Sequence, residues 1–180
     1  RSKGSIKAFF HPKKKQIHAV QNISLTVQKG EIIGYIGSNG SGKSTTIKML
    51  TGVLYPDRGS VKINGLTPQK HRTAVNKQIG VLFGQKSHLR WDIPVLESFI
   101  LHAKIYDVPD KVFEERLEQL IDLLQLGDFI HQPVRNLSLG QRVRCEFAAI
   151  FIHQPAVVFL DEPTIGLDAS VKETIRSFIR

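Results

Sequence analysis

The chain has 180 residues, of which 25 are Lys or Arg and 16 are Asp or Glu, so its formal net charge is +9. A chain of this length can bury enough apolar surface to fold as one domain without metal or disulfide support. Its single cysteine, Cys145, cannot form an internal disulfide and indicates a reducing, cytosolic compartment. The apolar runs are far shorter than the roughly 20 residues of a membrane-spanning helix, so we expect no transmembrane segment.

The positive charge is concentrated at the N-terminus. No acidic residue precedes Glu31, whereas six basic residues precede position 16: Arg1, Lys3, Lys7, Lys13, Lys14 and Lys15. The other 19 basic residues nearly balance the 16 acidic ones, which argues against a broad nucleic-acid-binding face. We interpret residues 1–16 as a basic arm that is either solvated or lies against anionic lipid headgroups. Because the only methionine is Met49, we expect the natural start to be missing.

The first half of the chain has the pattern of strands alternating with one helix. Two strands are predicted over residues 17–27 and 32–36, and a helix over 43–54. Further strands are predicted over 59–63, before the turn signal Asn64-Gly65, and over 79–83.

The second half is mainly helical in pattern. Residues 95–126 are predicted to form a helical block, because apolar side chains recur there at helical spacing: Phe113, Leu117, Leu120, Ile121 and Leu124. A helix over 140–153, a short strand over 157–160 and a last helix from 169 to 180 follow. Strands that alternate with helices predict an α/β fold with a mainly parallel sheet.

The loop after the strand predicted at 32–36 matches the phosphate-binding P-loop pattern. It reads Gly37, Ser38, Asn39, Gly40, Ser41, Gly42, Lys43 and Ser44. The glycines allow successive backbone N–H groups to point at phosphate oxygens, and the following helix start adds partial positive charge. We predict that Lys43 reaches the β- and γ-phosphates, that Ser44 binds the Mg²⁺ ion that bridges them, and that Thr45 supports the same loop.

Two carboxylates follow the strand predicted at 157–160. Asp161 and Glu162 after an apolar strand resemble the Walker B motif. We predict that Asp161 holds Mg²⁺ and that Glu162 is the general base for an attacking water. Such a pair alone often caps the next element or faces solvent, but a P-loop in the same chain favours the catalytic interpretation.

The segment from Leu137 to Gln141 resembles the signature sequence LSGGQ of ABC ATPases. Ser138 can cap the following helix, and Gly140 permits close approach to the backbone, which makes a second anion site at a helix start. The resemblance implies that two nucleotide-binding domains pack head to tail. Ser138, Gly140 and Gln141 of one domain are then expected to contact the ATP held by the other.

Further segments extend the resemblance over nearly the whole chain. Gln85 resembles the Q-loop residue that contacts Mg²⁺ and the attacking water, and Gly166 to Asp168 resembles the D-loop that meets the partner domain. Asp168 is equally suited to cap the last helix. The resemblance implies an ABC ATPase over residues 17–180: a P-loop NTPase with a mainly parallel central sheet, an N-terminal antiparallel strand region and a helical subdomain at about 90–140.

Three departures from the family pattern stand out. The stretch 12–16, where relatives carry an aromatic that stacks on adenine, has none. Leu139 replaces the first glycine of the signature. The switch histidine of relatives would lie beyond Arg180, so we expect the chain to be incomplete at this end and to turn over ATP poorly by itself.

The resemblance implies a chain that binds and hydrolyses ATP with Mg²⁺ to drive transport through a separate transmembrane permease. Residues 86–94 lie where relatives receive a helix of the membrane subunit, and Trp91 is either a contact there or simply a packed tryptophan. This segment and Leu139 resemble bacterial exporter ATPases, which predicts export, with the chain peripheral on the cytoplasmic face of the membrane and no specific nucleic-acid partner.

Two other classes of protein share some of these nucleotide-binding motifs. A soluble ABC ATPase acting on nucleic acid or ribosomes has the same nucleotide motifs, but the nearly balanced charge after residue 16 argues against it. A P-loop GTPase would need an Asn-Lys-x-Asp motif, and Asn76-Lys77 is followed by Gln78 and Ile79.

Overall fold

The computed structural model describes residues 18–84 and 87–179. The chain divides into two compact units, Arg1–Thr46 and Ile47–Arg180. The predicted basic arm and Gln85 lie outside the described residues. The boundaries predicted for the arm, the ATPase domain and the helical subdomain stay predictions.

The first unit carries the phosphate loop and the beginning of helix α1 (Lys43–Leu50). The prediction of strands at 17–27 and 32–36 was wrong for the described residues, because 18–36 contain no strand. A strand forms only where a neighbouring strand takes up its backbone hydrogen bonds, and among the described residues none pairs with 18–36 in this way. The side chains of Ile32 and Ile36 are accordingly 74% and 91% exposed.

The second unit is an α/β arrangement in which helices outnumber strands. Its elements in chain order are α2 (Arg72–Asn76), β1 (Ile79–Phe83), α3 (Val95–Ile105), α4 (Asp110–Leu124), a 3₁₀ turn (Val134–Asn136), α5 (Leu139–Phe151), β2 (Val157–Asp161) and α6 (Ala169–Ile179). The helices predicted over 140–153 and 169–180 are confirmed as α5 and α6, with small differences at their ends.

Strands β1 and β2 pair in parallel, with Ile79 opposite Val157 and Phe83 opposite Asp161. Both strands were predicted, and β2 is one residue longer than expected. Gly80 is required where helix α5 crosses β1, since a Cβ atom there would lie 2.9 Å from the backbone oxygen of Ile150. Because the two strands are parallel, their C-terminal ends lie side by side, with Phe83 of β1 opposite Asp161 of β2.

The strand predicted over residues 59–63 is reduced to a single bridge between Ile63 and Leu66. These two residues exchange backbone hydrogen bonds of 2.8 and 2.9 Å across Asn64 and Gly65, which have φ angles of 47° and 79°. Two consecutive positive φ angles are typical of a tight hairpin turn. The prediction of the turn was correct, but no further strand lies alongside to extend the pairing.

The helical block predicted over 95–126 is confirmed and consists of two helices, α3 and α4. Asp107 has a left-handed φ of 55°, and Pro109 immediately precedes α4. Proline lacks an N–H and disfavours the helical conformation in the residue before it, so the first helix has to end there. Helix α4 itself ends at Leu124, and the next residue, Gln125, has a left-handed φ of 52°.

The hydrophobic core lies among the helices and beside the sheet. Helix α5 packs on β1, and α3, α4 and α6 pack on α5. The largest fully buried side chains include Phe99, Leu124, Phe147, Ile150 and Ile175. The apolar face predicted for α4 is confirmed, since Leu120 and Leu124 are buried and the other three members of the face pack against the core. Across residues 18–84 and 87–179, no helix combines the length and apolarity needed to cross a bilayer.

Candidate functional site

The phosphate loop is curled tightly ahead of helix α1. Gly40 and Gly42 have φ angles of 80° and 89°, a region that residues with a side chain rarely adopt. A Cβ atom on Gly42 would also lie 2.2 Å from the backbone oxygen of Ala19. The Ser41 N–H donates to the Ser38 oxygen at 3.2 Å, which closes the turn. The glycines predicted to shape this loop therefore do so.

Lys43 lies over the loop rather than extending into solvent. Its ammonium donates to the backbone oxygens of Gly37 at 2.8 Å and Ser38 at 3.0 Å. Ser44 and Thr45, the next residues of α1, are half-buried. A cation, free helical N–H groups and a hydroxyl thus come together at one helix start, which is a favourable arrangement for a phosphate.

The two carboxylates predicted to act in hydrolysis lie at the end of β2, in the second unit. Asp161 is half-buried as the last residue of the strand, and Glu162 is exposed. Glu162 has a φ of 53°, an uncommon conformation for a residue with a long side chain, and such conformations cluster at functional sites. Gly84, which leads into Gln85, lies beside this end of β2.

The signature segment begins helix α5 with a capping box. The Gln141 N–H donates to the Ser138 hydroxyl at 3.2 Å, and the Ser138 N–H donates to the Gln141 side-chain oxygen at 2.8 Å. The predicted cap at Ser138 is confirmed. Because Gln141 is committed to this box, its side chain is held in one orientation.

The structure brings the signature and D-loop segments together. A Cβ atom on Gly140 would lie 2.9 Å from Val171 of α6, and one on Gly166 would lie 3.5 Å from Leu139. Asp168 accepts a hydrogen bond from the Val171 N–H at 2.9 Å, so it caps α6 as the alternative interpretation expected. Leu139 is 46% exposed beside this junction. Trp91 is 55% exposed, with the Arg142 guanidinium 5.9 Å from its ring centre.

Sequence reasoning missed Glu146, a buried carboxylate in the middle of α5. It accepts hydrogen bonds from the Ser87 hydroxyl and, at 2.8 Å, from the His88 N–H. The only signal for it in the sequence is one charge inside the apolar stretch from Cys145 to Ile150. Its partners lie almost sixty positions earlier, so their identity could not be read from the pattern.

A cluster of aromatic and imidazole rings beside β1 was also missed. His102 lies between His88 and His153, with ring centres 5.9 and 5.7 Å away, and Tyr106 stacks on His153 at 3.9 Å. Burial, reinforced by the other two histidines, lowers the pKa of His102 to about 3. Burial also lowers the pKa of His153. Neutral imidazoles of this kind suit packing between helix and sheet.

The family model described as "ABC transporter" matches residues 20–165. The chain belongs to the ABC transporter family. It is the ATP-binding part of such a transporter, and members of this family hydrolyse ATP. The match confirms the resemblance to ABC ATPases that the motifs indicated. The family works in ATP-driven transport together with a membrane partner.

Three relatives illustrate the range within the family. The ABC transporter ATP-binding protein NatA of Bacillus subtilis is 33% identical over 95% of this chain and 70% of its own length. The Nod factor export ATP-binding protein I of Ralstonia nicotianae is 33% identical over 89% of the chain and 50% of its own. The energy-coupling factor transporter ATP-binding protein EcfA1 of Listeria monocytogenes is 34% identical over 88% and 59%. The chain thus spans about half to three fifths of the length of the latter two proteins.

Solved structures confirm the P-loop NTPase fold of ABC ATPases. The ABC transporter component cbiO1 from Clostridium perfringens superposes with a TM-score of 0.76 at 26% identity, over 89% of this chain and 65% of its own. A dimeric post-hydrolysis ATP-binding cassette bound to ADP and Pi gives a TM-score of 0.76 over 92% of this chain and 77% of its own, at 23% identity. The second likeness speaks for the fold alone.

Proposed function

We propose that this protein binds Mg-ATP through the phosphate loop and hydrolyses it to drive export through a separate transmembrane permease. It would work on the cytoplasmic face of the membrane, with no specific nucleic-acid partner. The observation that carries the proposal is the arrangement at the start of α1, where Lys43 lies over a loop curled by Gly40 and Gly42.

Different groups of the loop are proposed to contact different phosphates of ATP. Backbone N–H groups from Gly37 to Thr45 bind the phosphate oxygens, and Lys43 exchanges its two carbonyl partners for the β- and γ-phosphates. Serine, aspartate and glutamine oxygens are hard donors of the kind that Mg²⁺ prefers, so Ser44, Asp161 and Gln85 would hold the ion. When bound, Mg²⁺ neutralises charge that develops on the phosphates.

Glu162 is the proposed general base. It follows Asp161 directly, and its left-handed backbone fixes the direction in which the chain leaves β2. Its carboxylate accepts a proton from the attacking water. An amide at the same position keeps the shape of the side chain but cannot take up that proton.

A second nucleotide-binding domain completes the site. The start of α5, with exposed Ser138 and half-buried Gly140 and Gln141, is proposed to face the γ-phosphate held by the partner. Asp168 and Gly166 lie beside it and would contact the same partner. ATP is then bound between two domains that are arranged head to tail, and it holds them together.

The direction of transport, which we propose to be export, is a separate point. It is supported by Leu139 in the signature, by the exposed Trp91 beyond β1 and by similarity to a Nod factor export protein. EcfA1, which is similar at the same level, belongs to an energy-coupling factor transporter, so the direction has to be tested. Purification of the tagged natural protein from membranes should recover a polytopic membrane protein, and Trp91→Ala should lower its yield several-fold. Recovery of ribosomes or nucleic acid instead would contradict the proposal.

The catalytic assignment is tested with Glu162→Gln in the natural protein. ATP binding measured by calorimetry should persist, whereas the steady-state ATPase rate should fall by about 10²-fold or more, in line with the loss of a general base. Glu118→Gln, which removes the same charge from an exposed position of α4, is the matched control and should leave both unchanged. A Glu162→Gln protein that hydrolyses ATP at the parent rate would show that Glu162 is not the base.

A further inference from the structure

Residues 58–91 carry positive charge without any acidic residue. This stretch contains seven Lys or Arg side chains and no Asp or Glu. The basic residues that the structure describes in it are all exposed, and one of them, Lys77, pairs with Asp107 at 2.7 Å. Because the chain after the basic arm is nearly balanced in charge, this is a local excess. Such a run is either a solvated face or a surface that meets an anionic partner.

Lys70 and Arg72, on either side of the first residue before α2, make no ion pair that would neutralise them. Across residues 18–84 and 87–179, none of the pairs between a basic and an acidic side chain includes either residue. Both side chains are exposed, as is His71 between them. The start of α2 therefore presents two full positive charges to the surroundings of the second unit.

Three consecutive apolar residues are exposed in the loop after α1. They are Val53, Leu54 and Tyr55, and the last is 74% exposed. Single apolar side chains are normal on a protein surface, but three in succession form a small contiguous patch. Tyrosine combines an apolar ring with a polar hydroxyl, which suits the headgroup level of a bilayer.

Hydrogen bonds hold this apolar loop against the turn that leads into α2. The Gln69 side-chain amide donates to the Leu54 backbone oxygen at 3.1 Å. The Tyr55 hydroxyl donates in return to the Gln69 backbone oxygen at 3.2 Å. Gln69 directly precedes the basic residues. Residues 53–55 and 70–72, which we call the amphipathic corner, therefore lie side by side within the second unit.

The two halves of the amphipathic corner are also close at a second point, since Val53 and Arg72 line one cavity beside β1. Exposed apolar and aromatic side chains next to unpaired cations suit an anionic membrane surface, because the apolar groups enter the headgroup region and the cations attract lipid phosphates. Nucleic acid attracts cations too, but it also binds through aromatic rings that stack on bases, and Val53 and Leu54 cannot stack. The composition of the corner therefore favours lipid.

We propose that the amphipathic corner binds the anionic lipid headgroups of the membrane, with Lys70 and Arg72 at the lipid phosphates and Tyr55 at the headgroup level. This is a contact with lipid, whereas Trp91 is proposed to meet the permease. The inference rests on the proposed function only for the presence of a membrane nearby. Lipid binding by the corner requires neither nucleotide nor permease, so it can fail while ATP binding stands, and the reverse.

The variants remove the charges and the ring separately. Lys70→Gln/Arg72→Gln removes two positive charges at exposed positions. Tyr55→Ser removes the ring. Tyr55→Phe keeps the ring and removes only its hydrogen bond to Gln69, so the two Tyr55 variants separate lipid contact from the structure of the loop.

The matched control is Lys111→Gln/Arg176→Gln, which makes the same change in net charge at exposed positions of α4 and α6. The basic arm stays intact in every protein, so its own contribution to lipid binding is the same throughout. The measurement is co-sedimentation of the purified protein, without nucleotide, with two kinds of vesicle. One is phosphatidylcholine alone, and the other also contains about 30% phosphatidylglycerol, which supplies the anionic headgroups.

The parent should bind the anionic vesicles more tightly than the neutral ones. Each Lys or Arg near an anionic surface strengthens binding about fivefold, so Lys70→Gln/Arg72→Gln should lower the partition coefficient by about 25-fold. Tyr55→Ser should lower it several-fold. Tyr55→Phe should stay close to the parent, and so should the control pair, because charges away from the bilayer are screened by salt.

The other outcomes overturn the inference. Equal losses in the control pair and in Lys70→Gln/Arg72→Gln would show that only net charge matters. Unchanged binding of Lys70→Gln/Arg72→Gln, or no preference of the parent for anionic vesicles, would show that the corner does not bind lipid. If this variant instead loses affinity only for a single-stranded oligonucleotide, or only the permease recovered from membranes, the corner faces nucleic acid or protein.

Discussion

Cys145 has no exposed surface in the middle of α5. Burial raises the pKa of its thiol to about 12, and the nearby Arg144 only partly opposes that effect. The thiolate is the reactive form of cysteine, so this side chain should behave as a small apolar residue.

We therefore expect Cys145 to resist thiol reagents in the folded protein. At pH 8, native protein incubated with an aromatic disulfide reagent should remain unlabelled over many minutes, whereas protein in concentrated urea should react with one equivalent. Protection should disappear along the same urea curve as the helical circular dichroism signal. Stoichiometric labelling of native protein within the mixing time would contradict the burial of this residue.

The local shape of a contiguous stretch could be predicted from the sequence. The phosphate loop is such a stretch, since its curl depends on glycines that are sequence neighbours, and Gly40 and Gly42 have the expected positive φ angles. Glu146 is the opposite case, because its role is defined by Ser87 and His88, which are adjacent to it only after folding. All the site assignments, those in the phosphate loop as well as Gln85, Ser138, Asp161 and Glu162, remain predictions.

The helical elements were predicted better than the strands, for a physical reason. A helix satisfies its hydrogen bonds within its own segment, so α1 and α3 to α6 could be located from periodicity, caps and breakers. A strand depends on partners elsewhere in the chain. Strands β1 and β2 pair with each other, whereas the apolar stretches at 18–36 have no such partner within the part of the chain that the structure describes.

The capping box at the start of α5 should contribute measurably to the free energy of unfolding. Ser138→Ala removes the side-chain acceptor for the Gln141 N–H and should lower the free energy of unfolding by about 1 kcal/mol. Ser138→Gly should lower it by only a few tenths, because glycine leaves the helix end open to water. Urea unfolding followed by circular dichroism, without nucleotide, gives both values. Equal stability of the parent and the Ala variant would contradict the cap.

The ring cluster beside β1 connects helix, sheet and loop across the second unit. His102 comes from α3, His153 follows α5, and His88 lies between β1 and α3. His153 donates from Nε2 to the Ile79 oxygen at 3.0 Å. Tyr106 stacks on His153, and Arg116 of α4 adds positive charge near it. Burial disfavours the protonated forms of His102 and His153, and Arg116 adds to this effect at His153.

This arrangement makes the stability of the second unit depend on pH. The folded-state pKa of His102 lies near 3, below its unfolded value of 6.5, so the unfolded chain binds more protons between these values. The contribution is complete above pH 6.5 and is lost progressively as the pH falls toward 3. From pH 7 to pH 5 the free energy of unfolding should drop by about 2 kcal/mol through His102.

Urea unfolding at several pH values tests this dependence. His102→Gln cannot titrate, so its stability should change less between pH 7 and pH 5 than that of the parent, by about the same 2 kcal/mol. His131→Gln, at an exposed position, is the matched control and should follow the parent curve. If His102→Gln and the parent lose equal stability on acidification, the burial of a neutral His102 does not control the acid response.

The whole molecule is proposed to bind ATP at the start of α1, and calorimetric titration with Mg-ATP tests this most directly. Lys43→Ala removes a charge-assisted contact worth about 1.5–3 kcal/mol, so its affinity should fall by about 10- to 150-fold. Lys48→Ala, which removes an exposed charge from the same helix, should bind like the parent. Saturable binding by the parent and by Lys48→Ala, with the expected loss in Lys43→Ala, is the predicted result. Equal affinity in all three proteins, or no binding by the parent, would contradict the assignment of this loop.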